Sequence, residues 1–242
     1  MHRTNVTSLP TPAVLLVHGA LTGPAVWNGV AVRLQRSGIE VLAPVLPMRS
    51  LNDDAAYLAS VLGRLGRPAL VVGHSYAGAV ISHPAITATG AVHGLVFVAA
   101  FQPDEGEAAG ELNERFPGSL LTAENLDVAE NPLGGTDITL KRERFAEVYA
   151  GDLSADAAGA MAASQHPINA AALSEPLAGA PSWRSIPSWA MVATEDRSLP
   201  PETLRFMAAR AGSDVVEVES SHAVPASRPQ EVADLVLEAI VG

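Results

Sequence analysis

The six residues Gly73-His74-Ser75-Tyr76-Ala77-Gly78 carry the strongest chemical signal in the chain. They follow the apolar run Ala69-Leu70-Val71-Val72 and precede the small-residue segment Ala79-Val80-Ile81. A buried strand thus turns abruptly into a helix with a serine at the corner. Small residues two before and two after the serine let such a turn tighten, which pushes the hydroxyl clear of the backbone. This is the G-x-S-x-G nucleophile elbow, with Ala77 in place of the second glycine. The same residues also fit a plain glycine-rich strand-to-helix turn with a bystander serine, so the other parts of a reactive site have to be sought elsewhere in the chain.

A serine hydroxyl is a poor nucleophile at neutral pH and needs an oriented base. Of the seven histidines, His222 stands out. It follows the β-branched run ending at Val218 and lies in the short loop Glu219-Ser220-Ser221-His222-Ala223, ahead of the final helix. Loops at the carboxyl ends of strands line the crevice of an open α/β sheet, so Ser75 and His222 are expected at one edge. The third group should be a carboxylate after an intervening strand, and Ser188–Ala193 runs into Thr194-Glu195-Asp196-Arg197. Asp196 is favoured because one residue more clears the sheet edge and a helix entrance follows at Pro200. Glu195 is the alternative, and either carboxylate could instead pair with Arg197.

Attack on a carbonyl also needs donors for the oxyanion. The amide of Tyr76 opens the elbow helix, where the helix dipole assists. A second amide is expected from the loop His18-Gly19-Ala20-Leu21, which follows the run Val14-Leu15-Leu16-Val17. Gly19 permits an unusual backbone conformation that would turn the amide of Ala20, or alternatively Leu21, to the substrate. His18 is expected to be structural, and the side chains of His74 and Tyr76 to pack around the elbow.

These groups must be held by a regular alternation of strands and helices. Strands are predicted at Ala13–Val17, Glu40–Ala43, Ala69–Val72, Leu95–Ala99, Ser188–Ala193 and Val215–Val218. Helices are predicted near Trp27–Arg36, Asp53–Leu65, Tyr76–Ala88, Glu202–Ala211 and Pro229–Val241. Such alternation is the signature of a parallel sheet with crossover helices. It breaks between Phe101 and Ser185, a stretch too long for a plain connection. Helices are predicted there at Leu140–Tyr149 and Ala155–Ala163, which suggests a helical cap or lid over residues 101–185 and a core made of residues 1–100 and 186–242. Gln165-His166-Pro167, Trp183 and Trp189 are candidates to approach a pocket beneath it.

Composition limits the partners. The 242 residues contain no cysteine, which excludes disulfides and thiolate chemistry. Residues 101–180 hold 14 acidic and 4 basic side chains, so nearly all of the net charge of −11 belongs to that segment. Such a field repels nucleic-acid backbones and anionic membrane surfaces and suits neutral or cationic substrates, unless it serves only solubility. Residues Met1 to Pro12 hold no apolar run of signal-peptide length, and no later segment matches a membrane span. A soluble, cytoplasmic protein is expected.

With these pieces in order, the chain resembles the α/β-hydrolase superfamily, and within it the small esterase and hydroxynitrile-lyase-like branch that includes methylesterases and bacterial carboxylesterases. The resemblance rests on Val14–Ala20, Val71–Gly78, Ala193–Arg197 and Ser221-His222, in the order serine, acid, histidine. It implies an α/β-hydrolase fold with a mostly parallel sheet of about six strands, lacking the two leading strands of larger members. It further implies hydrolysis of a small carboxylic ester or lactone with no cofactor and no metal. Ser75 would be the nucleophile, His222 the base, Asp196 its orienting acid, and Ala20 and Tyr76 the oxyanion donors. A ligand receptor of the same fold and a cofactor-free enzyme that breaks carbon–carbon bonds would keep the same residues. Relatives with a carboxylate nucleophile do not match Ser75, and the plant lyases place a lysine where this chain has Ala223.

Overall fold

The computed structural model describes residues 11–242; the N-terminal stretch discussed above lies outside it up to Pro10. Among the described residues nine strands form two sheets: β1 (Ala13–Val17), β2 (Val41–Leu42), β3 (Ala69–His74), β4 (Val92–Val98), β5 (Leu126–Glu130), β6 (Thr136–Leu140), β7 (Ile168–Asn169), β8 (Ser188–Ala193) and β9 (Asp214–Val218). The main sheet is parallel throughout, in the order β2-β1-β3-β4-β8-β9. β1, β3 and β8 are buried along their whole length. This is why they appear in the sequence as continuous apolar runs rather than alternating ones. Each Val or Leu so buried contributes about 1.5–3 kcal/mol.

Right-handed crossovers fix where the helices go. The chain steps from β1 outward to β2 and then back past β1 to β3, so the two connecting helices fall on opposite faces. Asn28–Arg36 accordingly packs with the C-terminal helix Pro229–Val241, whereas Leu51–Leu65 packs with Ala77–Ser82. The reversal makes the carboxyl ends of β1 and β3 the switch point, where open α/β sheets bind ligands. The predicted helix Tyr76–Ala88 is in fact two, Ala77–Ser82 and Pro84–Thr87, with His83 in an extended conformation between them. Pro84 removes a backbone donor and disfavours the helical conformation at His83, so the second piece restarts with proline at its first position.

Residues 99–187 connect β4 to β8 and are not purely helical. Helices Arg142–Tyr149 and Ala155–Ala163 form where predicted, though the first starts after Leu140. The cap expected to be helical also contains an antiparallel three-stranded sheet in the order β5-β6-β7. Its strands are short and largely half-buried or exposed, so they lack the apolar signal of the core strands.

The charge imbalance has a structural counterpart at the seam. Five arginines outside residues 101–180 reach carboxylates inside that segment: Arg49 to Asp137, Arg184 to Asp104, Arg197 to Glu147, Arg210 to Glu107 and Arg228 to Asp152. Part of the segment's acidity is therefore matched where it docks, each half-exposed pair contributing about 0–1 kcal/mol. Among the described residues no helix is long and apolar enough to cross a membrane.

Candidate active site

Ser75 follows β3 directly and has a φ of 55°, a left-handed conformation that costs a non-glycine residue about 1–3 kcal/mol. The surroundings enforce it: the Ser75 carbonyl accepts from the amides of Gly78 at 2.9 Å and Phe101 at 3.1 Å, while its own amide reaches Val98 at 3.3 Å. The critical small residue after the serine is Gly78. A Cβ there would lie 2.1 Å from the Phe101 carbonyl oxygen. The sequence pattern pointed one residue earlier, to Ala77, whose methyl group is accommodated in the helix.

Strand register then brings the other groups in. β8 and β9 pair at Ala193 and Val218, so the loops after them start side by side. Asp196 and His222 sit in those loops, 4% and 1% exposed. The Asp196 Oδ2 to His222 Nδ1 distance is 2.6 Å, and His222 Nε2 lies 2.8 Å from Ser75 Oγ. Asp196 Oδ1 accepts from the amides of Ser198 and Leu199, both at 2.8 Å. These bonds fix the carboxylate and leave its other oxygen for the imidazole. Glu195 is exposed and takes no part.

Ala20 and Tyr76 line the same cavity as Ser75 and His222, and neither backbone amide donates a hydrogen bond among the described residues. The amide of Leu21, the alternative, already donates to the His166 carbonyl at 3.2 Å. Gly19 allows the loop to lie against the elbow, because a Cβ there would sit 2.7 Å from both the His74 carbonyl oxygen and Ser75 Cβ. An unpaired buried amide pair beside a nucleophile can hold a developing oxyanion.

The other histidines around the site act as supports. His18 accepts the Leu46 amide at Nε2 and donates from Nδ1 to its neighbour Gly19, and burial lowers its pKa to about 4. His74 donates from Nε2 to the His222 carbonyl at 2.9 Å, and burial, followed by the field of His222, holds it far below the ordinary histidine range. His74 thus braces the His222 backbone without bringing a second positive charge to the imidazole. His166 donates to the Leu46 carbonyl at 3.2 Å, and Trp183 to the Pro103 carbonyl at 3.0 Å. Neither they nor Trp189 border the cavity.

Three supporting residues escaped the sequence reading. Tyr149 ends the helix Arg142–Tyr149 with its ring edge-on to His222 at 4.7 Å. Its hydroxyl donates to the Ala20 carbonyl at 3.3 Å, and its own carbonyl accepts the Ala223 amide at 2.9 Å. One residue of the insertion thereby touches both the loop that carries Ala20 and the loop that carries His222. Asp152 accepts from the hydroxyls of Ser220 and Ser221. Burial raises its pKa, but those hydroxyls and that of Ser227 outweigh it and keep the carboxyl below its ordinary value. Asp54 is fully buried and receives the Tyr76 hydroxyl at 2.8 Å and the Met48 amide at 2.9 Å. A usable signal existed for Asp54: it shares the spacing of Leu51, Ala55, Leu58 and Leu62, the buried stripe of its helix.

The cavity over Ser75 measures about 130 Å³ and is walled mainly by apolar side chains from the insertion. Its single charged lining residue is Glu114, which is exposed. A larger open cleft of about 560 Å³ is also lined by Asp196 but does not include Ser75 or His222, so the smaller space is the one that both of those residues border. Among the described residues no three His, Asp or Glu side chains gather to hold a metal ion.

Comparison with known proteins agrees with this architecture. Residues 14–235 match the family model described as "Alpha/beta hydrolase family". The chain is 25% identical over 253 residues to the alpha/beta hydrolase nvfD of Aspergillus novofumigatus, covering 94% of this chain and 96% of that protein. It is 25% identical over 251 residues to esterase PIR7B of Oryza sativa subsp. japonica, covering 93% and 94%. Among solved structures, a pyrethroid hydrolase from Sphingobium faniae superposes with a TM-score of 0.77 at 22% identity, over 96% of this chain and 98% of that one.

Proposed function

Because the chain belongs to the alpha/beta hydrolase family, we propose that it hydrolyses a small neutral carboxylic ester or lactone through an acyl-enzyme on Ser75. The observation that carries this reading is the continuous contact Asp196–His222–Ser75, at 2.6 and 2.8 Å, ending beside two unpaired amides in one cavity. His222 Nε2 takes the Ser75 proton as Oγ bonds to the carbonyl carbon, and the amides of Ala20 and Tyr76 receive the oxyanion. Collapse breaks the bond to the alkoxy group, which leaves with the proton from His222. Water then enters, gives its proton to His222 and its oxygen to the acyl carbon, and Ser75 regains its hydrogen as the acid departs. Asp196 holds the Nδ1 proton and stabilises the imidazolium in both halves.

The cavity supports the neutral substrate class. Among the described residues no lysine or arginine lines it, and Glu114 in its wall is an acid, so an anionic substrate would lose water without gaining a partner. The names of similar proteins, an esterase and a pyrethroid hydrolase, agree with ester cleavage. The test is a panel of short neutral esters and lactones, with a carboxylate-bearing analogue, on wild-type and Ser75→Ala protein. Ser75→Ala should stay folded and lose all but the residual rate that binding and oxyanion donors provide, about 10³–10⁴ over water. A phosphonate should add its mass at Ser75. Labelling at another serine, or undiminished turnover in the variant, refutes the assignment.

A further inference from the structure

The cavity over Ser75 is lined by a residue whose buried side-chain acceptor meets no protein donor among the described residues. Asn113, the last residue of the helix Ala109–Asn113, lines it and is 8% exposed. Its Nδ2 donates to Ser119 Oγ at 2.8 Å. The network dictates that orientation. Ser119 Oγ uses its only proton on the Ser198 carbonyl at 2.8 Å and also accepts the Leu121 amide at 3.1 Å. With no hydrogen left to give, Ser119 can face only the nitrogen of the Asn113 amide, never its oxygen. Asn113 Oδ1 is left buried and without a hydrogen-bond partner among the described residues.

A buried polar atom without a partner is rare in folded proteins and unfavourable enough to need an explanation. Here the surroundings supply one. The same cavity is lined by the groups proposed to act on a carbonyl and by the apolar side chains of Leu121, Leu126, Ile138, Ile168 and Leu173. The other polar residues that the insertion brings to the cavity, among the described residues, are Tyr149, whose hydroxyl already donates to the Ala20 carbonyl, and the exposed acid Glu114. The cavity therefore holds no free side-chain donor from the insertion to meet Asn113 Oδ1. At about 130 Å³ it is short, well below the ~300–1,000 Å³ of sites for drug-sized ligands.

We propose that Asn113 Oδ1 is a specificity-determining acceptor, selecting esters that carry a neutral hydrogen-bond donor, a hydroxyl or an N–H, a few bonds from the scissile carbonyl. This rests on the hydrolase reading of Ser75 given above. A substrate with such a donor satisfies the orphan oxygen on binding, and one without it leaves the oxygen stripped of water and unpaired. Discrimination by a site built around a polar partner follows from that difference.

Substrate pairs matched in shape test the proposal. Methyl 2-hydroxybutanoate and methyl 3-hydroxybutanoate are each compared with methyl butanoate, and the methyl ester of N-acetylglycine with methyl 4-oxopentanoate, in which a methylene replaces the N–H. In wild-type protein at least one donor-bearing ester should exceed its partner in kcat/KM by about ten- to a hundredfold. Asn113→Leu should bring that ratio close to one, while Ser119 keeps its bonds to Ser198 and Leu121. Circular dichroism establishes folding of the variant, and Asn113→Ala takes its place if the leucine is not tolerated. No preference in any pair, or a preference that survives loss of the amide, overturns the assignment. If no ester is turned over, the hydrolase reading fails by itself. The acceptor is then judged by calorimetric binding of the same pairs to Ser75→Ala protein, where equal affinities overturn it and the same preference upholds it.

Discussion

Replacing Asp54 by asparagine tests how the elbow is supported, and the structure sets the size of the effect. The carboxyl has no exposed surface and is bonded to the Tyr76 hydroxyl and the Met48 amide. Burial pushes its pKa from 3.8 to about 6, against the opposing pull of those hydrogen bonds. A rise of about two units corresponds to about 3 kcal/mol. Because the folded value lies above the unfolded one, the associated stability is complete below about pH 4 and is lost as pH rises through about 6. Asparagine has no proton to lose there. The stability of Asp54→Asn relative to wild type should therefore increase by about 3 kcal/mol between about pH 4 and pH 7, while other titrating groups largely cancel in the difference. Urea unfolding followed by tryptophan fluorescence at closely spaced pH values measures it. The offset at low pH reports how well the amide suits Met48 and Tyr76, and only the change with pH tests the reasoning. A difference that stays constant across the range would refute it.

Five further substitutions probe the site and its frame. Asp196→Asn should lower kcat by about 10⁴, the loss expected when the orienting acid is removed, whereas Glu195→Gln, at an exposed position, should change it little; ester kinetics on the two variants decides which carboxylate matters. Tyr149→Phe removes the hydroxyl held 3.3 Å from the Ala20 carbonyl but keeps the ring against His222. It should reduce kcat about two- to tenfold, with less effect on KM, and an unchanged kcat would mean that the Leu21 to His166 bond holds the loop unaided. Gly78→Ala forces a methyl group to within 2.1 Å of the Phe101 carbonyl oxygen. Thermal unfolding should show a loss at or beyond the ~1–3 kcal/mol typical of overpacking, against no more than about 1 kcal/mol for Ala77→Gly.

Wherever one stretch of chain carries its own signal, the sequence was enough to locate the element. β1 and β8 fall on the predicted residues, as do the helices Ala155–Ala163 and Pro229–Val241. Continuous apolar runs mark strands buried on both faces, and helical spacing marks one buried stripe. The order of elements placed Ser75, Asp196 and His222 at the same sheet edge because parallel strands all end on one side. The break at Pro84 was equally local, and its signal was present but unused. The antiparallel sheet of the insertion was not legible: Leu126–Glu130 and Thr136–Leu140 are exposed enough to be polar, and β7 contributes only two residues.

What the sequence determined by itself is the set of residues that meet at one sheet edge and the strands that deliver them, since both follow from local composition and from the topology that local elements permit. The tertiary structure alone chose between neighbours. Asp196 rather than Glu195 turns inward because the Ser198 and Leu199 amides bind it. Ala20 rather than Leu21 keeps a free amide because a carbonyl at His166, far along the chain, occupies its neighbour. The unpaired oxygen of Asn113 exists because Ser119 gives its only proton to Ser198. The Asp196 turn is local and only its other oxygen meets a distant partner, His222, whereas the last two outcomes depend on which hydrogen-bonding group is already engaged by a partner distant in sequence, and no local pattern encodes that.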